Sequence, residues 1–65
     1  MEAYQERVLV EKKELDEKLD KLIVFMDSDR FDVLPTEEQA RMNRQQEIMR
    51  EYSDVLGERI AAFGK

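Results

Sequence analysis

From Glu2 to Asp27 the chain runs without a glycine or a proline, and its apolar residues keep helical time. Val8, Leu15, Leu19, Leu22 and Met26 recur at spacings of 7, 4, 3 and 4. At 3.6 residues per turn these positions gather into one stripe. No stretch alternates with a period of two, so a strand is excluded. Charged residues fill the opposite face, where Glu14–Lys18 and Glu17–Lys21 stand in the favourable i,i+4 order.

The run breaks at Asp27-Ser28-Asp29-Arg30-Phe31-Asp32, which contains four turn-forming residues. Pro35 follows, and the residue before a proline avoids the helical region, so Leu34 marks a boundary. Thr36-Glu37-Glu38-Gln39 reads as a capping box, with Thr36 as N-cap, Gln39 reaching back and acids in the first turn. A second helix is expected from Glu37 to about Phe63. Its stripe is Met42, Met49, Leu56 and Phe63, seven apart, flanked by Ile48, Tyr52, Val55 and Ile60. Gly64 supplies the stop.

The pattern predicts an all-α fold, an antiparallel two-helix hairpin of about 2–27 and 37–63, with 1–65 forming one domain. Each helix would be about 39 Å long at 1.5 Å per residue. Short connections make antiparallel neighbours. In register, Val8 is expected to oppose Leu56, Leu15 to oppose Met49 and Leu22 to oppose Met42. Phe25, Phe31 and Leu34 would close the turn end.

Two helices bury only one stripe each, and 65 residues lie near the lower limit for folding alone. Set against about 1.5 kcal/mol of ordering entropy per residue, so few buried side chains leave little net stability. The apolar faces are wider than one seam. Val10, Ile23, Val24 and Phe25 lie off the stripe of the first helix, and Ile48, Val55 and Ala62 off that of the second. Association into a helical-bundle homo-oligomer, a dimer or higher, would cover them. Gly57, inside the second helix, either admits a close backbone or ligand or is a tolerated surface glycine.

Cysteine and histidine are both absent. No disulfide supports the fold, and neither thiolate nor imidazole is present for a structural zinc site or for the usual nucleophile–base pairs. The pairs Glu47/Glu51, Glu11/Glu14 and Glu14/Glu17 read as a solvated charged face, since di-metal bundles join such glutamates to a histidine. The expectation is a protein that is not an enzyme and takes no metal or cofactor. No run of about 18 apolar residues exists, so no transmembrane helix is expected. The acidic segment Met1–Glu6 does not form a secretory signal, and a soluble, cytoplasmic protein is expected.

A net charge of −5 argues against binding a nucleic acid polymer. The charge is uneven: residues 1–34 carry ten acids and six bases, residues 35–65 six acids and five bases. Within the second half, Gln39-Ala40-Arg41-Met42-Asn43-Arg44-Gln45-Gln46 has two arginines, four amides and no acid. Such groups clasp phosphates and read base edges; equally, they make a polar outer face. At the open end, the register brings Tyr4 and Arg7 towards Arg59 and Ile60, with Tyr52 about two turns away. An aromatic with two guanidiniums can stack on a nucleobase and neutralise phosphate. Alternatively, the tyrosines belong to the seam and the arginines pair with Glu58 or Glu11.

The pattern Tyr4-Gln5-Glu6-Arg7-Val8, Glu11-Lys12-Lys13-Glu14-Leu15, Leu34-Pro35, Tyr52-Ser53 and Glu58-Arg59-Ile60-Ala61-Ala62-Phe63 spans most of the chain. It resembles the very short proteins of tailed phages and prophages described as related to a crAss-like phage gene product. More distantly, the architecture is similar to phage-encoded sponges that defeat CBASS and Thoeris immunity. Those are helical hairpins that oligomerise and sequester cyclic nucleotide signals at subunit interfaces. The resemblance implies a cyclic oligonucleotide or a cyclic ADP-ribose isomer as ligand, in the cytoplasm of an infected bacterial host. Contacts would come from Tyr4, Arg7, Arg41, Arg44, Gln45, Tyr52 and Arg59 of more than one copy. The alternative is a small helical protein-interaction module that lays its charged faces on a host or phage protein.

Overall fold

The computed structural model describes residues 1–64, which contain helix and turn and no strand. Two long helices, α1 (Ala3–Met26) and α3 (Thr36–Ala61), pack along each other, with a single-turn helix α2 (Asp29–Asp32) between them. The result is a rod of 47 × 15 × 14 Å. The expected hairpin is present, its helices a residue or two displaced from the boundaries read in the sequence.

Both ends of α1 are held by local bonds. At its start the Glu2 N–H donates to Gln5 Oε1 at 2.9 Å, satisfying a donor that the helix cannot. At its end the Ser28 hydroxyl donates to the Phe25 carbonyl. The segment 29–32, rich in turn formers, then closes one further helical turn instead of running as a loop. Its Phe31 ring meets Phe25 edge to face, with centroids 6.4 Å apart. Together with half-buried Leu34, this pair closes the turn end as expected.

The start of α3 departs from the expected capping box. Pro35, extended at φ −55° and ψ 146°, is the N-cap, and its carbonyl accepts from the backbone N–H groups of Glu38 and Gln39. Thr36 lies inside the helix, so its hydroxyl is one position too late to cap. Gln39 reaches the other way: its amide donates to the carbonyls of Phe31 at 3.1 Å and Leu34 at 3.0 Å. The Phe31 carbonyl also accepts from the Leu34 N–H at 3.1 Å, so Gln39 adds a side-chain tie between the start of α3 and the turn that precedes it. At the far end, Gly64 takes φ +86° just after the last helical turn, a conformation that costs glycine little.

Val8, Leu19 and Leu56 form the buried core, and Leu15, Leu22, Met26, Met42, Met49 and Phe63 are half-buried around them. The helices sit about one turn away from the expected pairing at the open end. Tyr4 meets Phe63 there, rings 6.0 Å apart and edge to face, three residues beyond Ile60.

The seam also holds a polar cluster that the apolar stripes gave no sign of. Lys12 Nζ donates to Asp16 Oδ2 at 2.8 Å and to Ser53 Oγ at 2.9 Å, while Ser53 Oγ donates to Asp16 Oδ1 at 2.5 Å. Ser53 is buried, so its hydroxyl needs both partners. Gly57 stands beside Lys12, whose Cε lies 3.5 Å from where a β-carbon would be. That is ordinary van der Waals contact, and alanine would fit.

Candidate functional site

Residues 7, 11, 14 and 18 lie three or four apart and therefore share one face of α1. Arg7, Glu11, Glu14 and Lys18 on this face, with Val10 and Leu15, border an open groove of about 740 Å³. Tyr52 is the residue that α3 contributes to it. The groove thus combines an aromatic ring, two cations and carboxylates over an apolar floor. Its chemistry suits a ligand with a flat ring, an anionic group and hydroxyls: the ring stacks, the cations pair with the anion, and the carboxylates accept from the hydroxyls.

The seven residues singled out in the sequence divide between places. Arg7 and Tyr52 come together in this groove. Arg41, Arg44 and Gln45 border a smaller depression of about 330 Å³ on α3, beside Ile48 and Met49. There Arg41 Nε donates to Glu38 Oε1 at 2.8 Å, and Gln45 Nε2 approaches Met49 Sδ at 3.7 Å. Tyr4 packs edge to face on Phe63, stays half exposed, and borders neither depression. Arg59 is exposed on α3 and also lies outside both.

In the sequence Lys18 stands out only as the i,i+4 partner of Glu14 on a charged face. Its spacing from Arg7, three turns of one helix face, was the available signal. Among the described residues the ion pairs within the chain are Lys12–Asp16 and Arg41–Glu38. Arg7, Lys18, Arg44 and Arg59 are therefore uncommitted there. No group of three or more acidic side chains among the described residues is gathered closely enough to hold a metal ion. Among the described residues no helix is long and apolar enough to cross a membrane.

No curated protein and no solved structure matches the chain. The model of the Sequestin family matches residues 2–62, which take in both long helices, the turn between them and the whole of the groove. The chain belongs to the Sequestin family.

Proposed function

We propose that the protein is a phage-encoded anti-defence factor that sequesters a cyclic nucleotide immune signal without cleaving it. The ligand class is a cyclic oligonucleotide or a cyclic ADP-ribose isomer, held where copies of the hairpin meet. The convergence of Arg7, Lys18 and Tyr52 in one groove carries this reading, and the family name, which denotes sequestration, supports it. Tyr52 stacks on the base, Arg7 and Lys18 take the phosphates, and Glu11 and Glu14 accept from ribose hydroxyls, as acidic residues do in dinucleotide sites. Sequestration needs no chemical step, and the chain has no histidine or cysteine to offer one.

The net charge of −5 opposes a dianionic ligand at long range. Screening over about 8 Å at physiological salt limits that penalty, and contact with a guanidinium outweighs it locally. Because a charge-assisted hydrogen bond is worth about 1.5–3 kcal/mol, Arg7→Glu should weaken binding by about tenfold or more. Helical circular dichroism should stay unchanged, since Arg7 is exposed. Unaltered affinity in a folded Arg7→Glu variant would remove this groove from the reading.

A second reading, a module that docks on another protein, draws on one observation. Val24 and Val33 are 72% and 82% exposed towards the turn end, away from the groove.

A further inference from the structure

Along α3, residues 41, 45, 48, 52, 55 and 59 are spaced 4, 3, 4, 3 and 4, the repeat of a coiled-coil seam. This is a second stripe, turned away from the one that packs on α1. At its centre stand Ile48, Tyr52 and Val55, which are 56%, 42% and 50% exposed. A repeating apolar centre on a helix already packed on its other side calls for another helix.

The charges beside the stripe say which helix fits. Arg44, Glu51 and Glu58 are seven apart and share its outer flank. Neither Arg44 nor Glu58 makes an ion pair among the described residues. An antiparallel copy of α3 centred near Tyr52 puts Ile48 on the partner's Val55, Arg59 on the partner's Gln45, and Arg44 on the partner's Glu58. Every such pair occurs twice. On α1, Glu11 and Lys18 are likewise seven apart, and both face the groove. A two-fold axis near residues 14 and 15 pairs Glu11 with the partner's Lys18.

The two centres belong to different helices, yet they lie at the same height. Ser53 bonds to both Lys12 and Asp16, which sets the middle of α3 level with residues 12–16 of α1. One axis therefore satisfies both helices.

We infer that a second copy of the chain packs face to face on this surface, about a two-fold axis passing beside Tyr52, to form an antiparallel four-helix bundle. The inference specifies the self-association within the sequestration reading and does not depend on any ligand. The partner's Tyr52 and Lys18 then border the inner end of the groove, which a single hairpin leaves open. The axis also brings Glu51 against the partner's Glu51. Glu14, beside the axis on α1, likewise approaches its own copy, and these two like-charge contacts are outnumbered by the four opposite-charge pairs.

The chain has no cysteine, so single introduced thiols report symmetry cleanly. In the ligand-free full chain, sedimentation should show a dimer, and Glu51→Cys should form a disulfide-linked dimer under mild oxidation. Val24→Cys, nine residues or more along α1 from the axis and so far from its own copy, should not. Arg44→Glu and Glu58→Arg should each weaken the dimer about tenfold or more, because each places like charges in apposition twice. The double variant should recover most of the loss. A monomeric chain at tens of micromolar, cross-linking through Val24→Cys but not Glu51→Cys, or a double variant weaker than either single one would each overturn the arrangement. Since no nucleotide is present, these results stand apart from failure of ligand binding, which calorimetry reads separately.

Discussion

Asp16 accepts from Lys12 and Ser53 at once, and these bonds hold its carboxyl below the usual carboxylate range, Lys12 contributing most. A carboxyl whose pKa is depressed in the folded state contributes stability that is complete above its unfolded value, about 3.9. That contribution is lost as pH falls through the folded value. Asp16→Asn should therefore be less stable than the parent at neutral pH, and the gap should narrow below about pH 4. Urea titrations from pH 7 to pH 2 measure it, and a gap of constant size would contradict the assignment. The side chains of Asp16 and Lys12 are 43% and 30% exposed, so solvent screens the pair and the effect is modest. None of this was legible in the sequence. Lys12, Asp16 and Ser53 are common residues of a polar helix face, and only the register of the two helices brings Lys12 to Ser53, 41 residues on.

At the scale of the elements, the two long helices were legible because their apolar spacing and the break at Pro35 agree. The start of α3 differs from its sequence pattern. Thr36-Glu37-Glu38-Gln39 has the residues of a capping box, but the proline before it takes the cap position. Gln39 was then free to bond the carbonyls of Phe31 and Leu34, partners that exist only once α2 has formed its single turn. It serves as the clasp of the hairpin turn. Gln39→Ala should cost about 1–2 kcal/mol, lowering the thermal midpoint by about 4–8 °C per kcal/mol at fixed protein concentration. Thr36→Ala should change it little. The opposite order would restore the capping box. The slide of about one turn between α1 and α3 has a similar origin. Apolar stripes of period seven define which faces meet, but several neighbouring registers bury them nearly equally. The Tyr4–Phe63 contact and the polar cluster at Ser53 choose among them.

Taken whole, the molecule is a thin rod with three buried apolar side chains among the described residues, Leu56 alone of them fully buried, and several half-exposed ones. So small a core yields little net stability, which is why the outer stripe of α3 matters. Of the candidate site, the pairing of Arg7 with Tyr52 could be anticipated from the helical faces and the antiparallel arrangement. The separation of Arg41, Arg44 and Gln45 from Arg7 follows from the length of α3, along which they stand about two to three turns from Tyr52. The remaining members, Lys18 and Glu11, were hidden among ordinary i,i+4 charges. As a sequestering protein, the molecule is proposed to bind a cyclic nucleotide at this groove and to release it unaltered. Isothermal titration of the full chain with a panel of cyclic oligonucleotides and cyclic ADP-ribose isomers tests it most directly. After heat denaturation of the complex, the bound compound should be recovered and identified chromatographically. At least one compound should bind at micromolar concentration or tighter and be recovered intact; no binding across the panel, or recovery of a cleaved product, would rule out sequestration here.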